Sequence, residues 1–592
     1  MYKRQTLCAS VDKTDEWHIV ADDFSNYNGV TLANGTIGIQ TSDKLLEVGD
    51  IVLNNVYMSR RPGDVSRIAR GPQFLNLVID IDGKTLTDSN VSHKRQVLDM
   101  KEAKMKMIFD ADGAEISYEI MAMRNLPYMG LVRVRVKAKR DINIDVKNRT
   151  SFATEYVDCS ADFKNLRDGS HIMPLMVSRA ISYDRSVAVA SATVFLFPTE
   201  EHPEIVSEDV VDGYPAMKFV TDLKKGQTLE FSLMGAVTNS IEFPNLDADV
   251  ERMAVYALRS DPDTLVDGHK KEWERLWESD IMIEGDAESQ RDVRLALYHL
   301  YSFGGEGTRN SIAPMGLSTV TGYNGHVFWD TEMWMYPPLL MLNQDMARSC
   351  IDYRTDRLTQ ACRRARHYGF GGAMYPWESD RSGEEATPTW CLTGTFEHHI
   401  SADIAIAFWN YYRVTRDVDW LRSEGYEVMK NVADFWKSRA TLNTDGSYSI
   451  KNVVGANEYA ANIDDNAFTN GAAKRALEYT VKAADVVGVA PDPKWKKIAD
   501  GLKFYQMSDG TTMEHSKYAG EIVKQADVNL LAYPLEIVTD RNRILADVEY
   551  YAKKIDGNGP AMGNSILAIL YSQSGDCLLY TSPSPRDYAA SR

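Results

Sequence analysis

A β-rich N-terminal part followed by an all-α part is the fold class the sequence predicts. Three observations predict it: period-two alternation through roughly the first 245 residues, a change to helical spacing near Asp247, and long helical stretches that recur beyond residue 300. At 592 residues the chain is too long for one ordinary core, so more than one domain is expected.

In the first part, Val132, Val134 and Val136 alternate with Arg133, Arg135 and Lys137. Ile142, Ile144 and Val146 alternate with Asp141, Asn143 and Asp145. Each run describes a strand with one wet face. Further strands follow in VAVASATVFLF and TLEFSLMGAV, separated by Gly, Asn and Asp turns. Many strands at short spacing, with no helix between them, predict an antiparallel β-sandwich over residues 10–246. Residues 247–300 then read as a helical linker, and residues 301–576 as an all-α domain whose chemistry sits on its loops. Within HHISADIAIAFWNYYRVTRD, Ile400, Ile404, Phe408 and Tyr412 recur every four residues, a buried stripe.

Apolar content of 44% and charged content of 25% are those of a globular protein. A net charge of −18, without a stripe of Lys and Arg, argues against nucleic-acid binding. No apolar run reaches the roughly 18 residues of a membrane span. Six cysteines make no disulfide framework, and Cys350 and Cys362 lack zinc-site spacing, so free buried thiols are expected. The opening MYKRQTLCASVDKTDEW has no apolar signal region. Its Cys8-Ala9-Ser10 nevertheless has the small-x-small form of a cleavage site. Read as the remainder of an export signal, it would place the protein in the periplasm or outside the cell, and otherwise in the cytoplasm. The Ser-Pro repeats of CLLYTSPSPRDYAASR cannot continue the helix before them. Residues 1–6 and 577–592 therefore read as foreign, and the native protein as cut short.

Four stretches concentrate chemistry. TGYNGHVFWDTEMW (Thr321 to Trp334) packs rings and carboxylates around two glycines. A core segment wants the rings and a solvated loop the charges; a sugar-binding cleft wants both. VVGANEYAANIDDNAFTNGAAKRALE places Glu458 beside Tyr459 in a Gly- and Asn-rich loop, with Asn470 just before an expected helix start. GAMYPWESDRSGEEATP sets Trp377 next to Glu378 ahead of the Glu384-Glu385 pair, and EIVKQADVNLLAYPL carries Lys524 and Gln525.

These stretches, with HKKEWERLWESDIMIEGD upstream, resemble glycoside hydrolase family 65, the inverting α-glucoside phosphorylases and hydrolases, over about residues 20–576. The resemblance implies an N-terminal β-sandwich, a helical linker, an (α/α)6 barrel and a C-terminal β domain that this chain lacks. It places the general acid on Glu458, the glucose-holding Trp-Asp pair on Trp329 and Asp330, and the Lys-Gln pair on Lys524 and Gln525. Glu332, Trp377, Glu378 and Tyr459 complete the expected substrate-binding set. Such chemistry needs a protonated carboxyl beside the bridging oxygen and a base on the opposite face, about 6.5–9.5 Å away. The resemblance places that base, or a phosphate site, beyond GPAMGNSILAILYSQSGD. Its identity stays unknown, and little turnover is expected from the chain as it stands. The acid's usual Asp-Glu-Tyr-His setting is replaced by Asn457-Glu458-Tyr459-Ala460, so a different operating pH is expected.

Gly559-Pro560-Ala561-Met562 before an apolar helix looks like the family's hydrolytic branch, that of kojibiose hydrolase and the glucosyl-galactosyl-hydroxylysine glucosidase. Phosphorolysis, with inorganic phosphate as co-substrate, is the alternative, and a non-catalytic α-glucoside-binding remnant is a third reading. α-1,2, trehalose and nigerose-type substrates all stay open. No cofactor or metal is implied, the partner is a small disaccharide or α-glucoside, and a homodimer is left open. Several residues also have plainer readings. Trp329, Trp334 and Trp377 taken singly are core residues, and Glu332 serves as a supporting partner or a helix N-terminal acid. Glu384-Glu385 reads as a wet loop, and His398-His399 as a satisfied structural pair.

Overall fold

The computed structural model describes residues 15–59, 64–199, 201–211 and 213–574. The expected export-signal remainder and the expected foreign segments lie outside them. The chain divides into two compact units, one ending at His326 and the other beginning at Val327.

The first unit is built of antiparallel sheets. A nine-stranded sheet includes Ala114–Ala122, Met129–Ala138, Thr228–Asn239 and Ala188–Leu196 as successive neighbours. Val132 pairs with Ile120 on one side and Leu233 on the other, so apolar residues share a face across three strands. The expected alternation holds: Val132, Val134 and Val136 are buried while Arg135 and Lys137 are exposed. A five-stranded sheet contains Ile142–Ser151, Tyr214–Leu223 and Gln73–Ile81. Phe219 of this sheet meets Phe195 and Phe231 of the first edge-on, at centroid distances of 5.0 and 5.1 Å, which makes the two sheets a sandwich. At Gly235 a Cβ would come within 2.5 Å of the Phe74 ring, so only glycine permits this approach of the layers.

The stretch expected as a linker packs within this same unit. Helix Leu246–Leu258 lays Leu246, Val250, Ala254 and Ala257 onto Leu175, Ala190, Val194, Met234 and Ala236 of the nine-stranded sheet. Asp261 caps the next helix, Pro262–Trp277, by accepting from the Thr264 N–H, with Pro262 at its first position. Trp273 of that helix stacks on Tyr298 of helix Ala287–Phe303 at 5.5 Å.

The second unit is helical. Helix His399–Thr415 is enclosed on every side from His399 to Trp409, more than the single stripe expected from the sequence. Ser401, Ala402, Ala405 and Ala407 are small enough for neighbours to approach the faces between the large residues. Helix Ala467–Val487 crosses it, with Tyr479 stacked on Trp409 at 5.8 Å. This helix begins before Asn470, contrary to the sequence reading. Asn466 is its cap, accepting from the Thr469 N–H at 2.8 Å, and Asn470 lies buried in the first turn. Helix Tyr426–Arg439 packs alongside, its Met429 carbonyl accepting from Thr480 Oγ1 at 3.2 Å. Of the described cysteines, Cys350 is buried, while Cys159, Cys362 and Cys391 are only partly so; all four are free thiols. No helix among the described residues is long and apolar enough to cross a membrane.

Candidate active site

All the residues singled out from the sequence lie in the second unit, on irregular segments between its helices. Asp330, already in the helical backbone region, leads into Thr331–Met335, a single widened helical turn before helix Tyr336–Leu342. Such π-type turns cost regular hydrogen bonding and gather at functional sites. Two residues beyond Asp330, Glu332 is gripped in a fork by buried Arg354, whose Nε and Nη2 donate at 2.7 and 3.0 Å. Nη2 also donates to the Phe328 carbonyl at 3.0 Å, so one guanidinium fixes the backbone on both sides of Trp329-Asp330. Glu332 is thus the supporting partner, not a free helix-terminal acid.

Asp330 is partly exposed. Burial foremost, then the charges of Glu458 and Glu332, push its carboxyl up to about 7, against the pull of Lys524. Glu458 and Lys524 both act on Asp330, so the three lie within electrostatic reach of one another. Glu458 Oε1 lies 2.8 Å from Lys524 Nζ.

Asn457 is the brace that holds Glu458 and Lys524 in place. Its Oδ1 accepts from the Lys524 N–H at 2.8 Å, and its Nδ2 donates to Glu514 at 3.1 Å. Its own N–H donates to Asp527 at 3.2 Å. Asp527 also accepts from Asn466 Nδ2 at 2.9 Å and the Phe468 N–H at 3.3 Å, three donors suited to a carboxylate. Glu514 has one such donor and a second oxygen without a partner; burial, then the charge of Asp527, push it up towards the protonated form. Gln525 is 2% exposed and donates its amide to the Ala456 carbonyl at 2.8 Å, a second tie between the same two segments. This hydrogen bond gives Gln525 a supporting role beside its expected one as a substrate contact. Tyr459 stands at the rim, 57% exposed, with its hydroxyl donating to Asp556 at 2.8 Å.

Trp377 and Glu378 are buried, and their backbone N–H groups both donate to Glu385, at 3.0 and 3.2 Å. Arg364 pairs with the same carboxylate at 2.7 Å. Glu385 is therefore an anchor of this loop, in place of the expected wet surface residue; Glu384 is exposed and pairs with Arg363. Trp329, 1% exposed, and Trp377, 3% exposed, are closed in by other rings. Trp334 packs edge-on to Trp329 at 5.7 Å, and Trp377 lies 6.2 Å from it. The stacking faces expected of Trp329 and Trp377 are thus largely taken by protein, and these indoles form the wall behind Asp330 and Glu378.

Comparison with known proteins gives the family. The glycosyl hydrolase family 65 N-terminal domain matches residues 28–276, and the family's central catalytic domain matches residues 294–502. Kojibiose hydrolase of Flavobacterium johnsoniae is 41% identical over 578 residues, 96% of this chain and 85% of that protein. The Mucilaginibacter mallensis kojibiose hydrolase is 40% identical, with the same coverage. The chain belongs to glycosyl hydrolase family 65.

This family 65 chain is a glycoside hydrolase acting on α-glucosidic bonds. A solved structure described as "Putative kojibiose phosphorylase from human microbiome" shares its fold, with a TM-score of 0.81 at 17% identity over 96% of this chain and 84% of that one. Sequence reasoning passed over four members of the site region: Arg354, Glu397, Glu514 and Asp527. It also passed over Asp403, although this residue follows His399 at i+4, a spacing that brings the two together on a helix. Among the described residues no group of His, Cys, Asp and Glu side chains has the arrangement of a metal site.

Proposed function

We propose that this family 65 enzyme hydrolyses an α-1,2-linked glucobiose of the kojibiose type with inversion, releasing β-glucose. The observation that carries the mechanism is the convergence of Glu458, Lys524 and Asp330. Glu458 protonates the bridging oxygen, and water attacks the anomeric carbon from the opposite face, giving its proton to a base on that face. Glu458 is ion-paired with Lys524. Sugar hydroxyls that engage Lys524 and Asp330 open that pair as the substrate enters, leaving Glu458 to the bridging oxygen. The helices of the second unit then form the (α/α)6 barrel of the family, with the site on its loops. Similarity to two kojibiose hydrolases at about 40% identity supports both the linkage and the choice of water over phosphate.

The test uses protein expressed from its whole reading frame, incubated with kojibiose, nigerose, maltose and trehalose with and without phosphate and followed by proton NMR. Kojibiose cleaved fastest, independently of phosphate, with β-glucose appearing first, is the expected result. Phosphate-dependent β-glucose 1-phosphate identifies a phosphorylase, α-glucose as first product overturns inversion, and binding without turnover identifies a lectin-like protein. Glu458→Gln is expected to lower kcat by about 10³-fold or more while the Kd for kojibiose changes less than about threefold.

A further inference from the structure

Directly behind the wall of indoles lie three charged residues that the reaction above leaves unused. Glu397 is 1% exposed, and His399 and Asp403 are fully enclosed. His399 Nδ1 lies 2.7 Å from Asp403 Oδ2, and Nε2 lies 3.0 Å from Glu397 Oε1. A ring that meets a carboxylate at each nitrogen donates from both and is an imidazolium. Burial opposes that charge, but the two carboxylates outweigh it and raise the ring to about 10. Each carboxylate also keeps one buried oxygen, Glu397 Oε2 and Asp403 Oδ1, with no partner.

The same ring is a mechanical hub. Its edge or face meets Trp329 at 4.8 Å, Trp377 at 5.3 Å and Phe468 at 4.8 Å, with interplanar angles of 69°, 78° and 69°. Trp329 precedes Asp330, and Trp377 precedes Glu378. The Phe468 N–H donates to Asp527, which also takes the N–H of Asn457 beside Glu458. One side chain therefore touches two of the segments that carry the site and a residue that supports a third. A cationic ring edge against aromatic groups is a favourable contact in a dry interior.

The charges around the set are defined. Glu397 interacts with Glu458 and Lys524, Asp403 with Glu332 and Arg354, and His399 with Asp527 and the neighbouring His398. Burial pushes the carboxyl groups of Glu397 and Asp403 up, and the ring between them pulls both down.

We propose that Glu397, His399 and Asp403 are positioning residues of the glycosidase site: held between the two carboxyl groups, the ring of His399 fixes the indoles of Trp329 and Trp377. This rests on the reading of the site as one that binds glucose.

Glu397→Gln loosens the hold on one side of the ring without opening a cavity, and a loss of glucose affinity of about threefold or more is expected, with the wild type measured beside it. His399→Ala tests the hub, because glucose binding, followed by tryptophan fluorescence, needs no turnover; an affinity loss of about tenfold or more is expected. His399→Gln, which keeps one of the two hydrogen bonds, is expected to recover part of that affinity. Should His399→Ala fail to fold, the Glu397→Gln titration decides alone. An altered Tm with unchanged glucose affinity shows an ordinary buried histidine and overturns the proposal. A wild type that binds glucose but cleaves no α-glucoside overturns the catalytic reading instead, and the fluorescence titration still decides the hub.

Discussion

Asp330 carries two demands at once in the proposed reaction: it accepts hydrogen bonds from sugar hydroxyls, and it stays within electrostatic reach of Glu458. Its carboxyl, near 7 when folded against about 3.9 in an unfolded chain, binds a proton more tightly in the native state. Stability from this group is therefore full below about pH 4 and is lost as pH rises through 7, by at most on the order of 4 kcal/mol. Asp330→Asn is expected to narrow the Tm difference between pH 5 and pH 8, as differential scanning fluorimetry would show; an unchanged difference means the group is better solvated than described. Arg354 shows the opposite economy. Its fork on Glu332 is buried on both sides, so Arg354→Met leaves a carboxylate without its cation and is expected to cost about 3–5 kcal/mol. The double variant with Glu332→Gln should recover most of that loss. At this scale the sequence disclosed the residues with chemistry written beside them, such as Trp329-Asp330 and Glu458-Tyr459. It hid their supports, because Arg354 looks like any cation of the helix Gln344–Thr355, and its partner is 22 residues away.

Strands were legible because their side-chain period is two, and Met129–Ala138 buries the residues the alternation named. The central helix was legible as a helix but not as an enclosed one, since its alanines and Ser401 look neutral in a pattern of apolar residues. Helix boundaries were harder. Asn466, Thr469 and Asn470 could each start a helix, and only the N–H groups available for capping distinguish them. Asn466 both caps Ala467–Val487 and donates to Asp527. Asn466→Ala is thus expected to destabilise by about 1–2 kcal/mol from the cap alone. It should also lower kcat/KM, where an exposed cap such as Asp261→Ala should leave catalysis unchanged. Equal kinetic effects in the two variants would separate Asn466 from the site.

The two-part organisation followed from a change of period near Asp247, yet the boundary of the compact units falls later, at His326. Helices such as Leu246–Leu258 present a helical pattern whether they link domains or cover a sheet, so spacing alone does not decide their allegiance. The titration of the whole molecule follows from its extremes. Carboxylates held low by partners, Asp184 and Asp434 among them, lose their stabilising effect as acid protonates them. Asp330, Glu514 and His399 lose theirs as alkali removes their protons. Thermal stability is accordingly expected to peak near about pH 5 and to fall on both sides; a Tm still rising at pH 8 would contradict these environments. A net charge of −18 also surrounds the molecule with an ionic atmosphere enriched in hydronium, so that its surface is more acidic than the bulk buffer. Dilute buffer widens that atmosphere and concentrated salt collapses it. The apparent optimum for turnover should consequently drift to lower bulk pH as sodium chloride is added, and an assay that varies both together would mistake this drift for a change in chemistry.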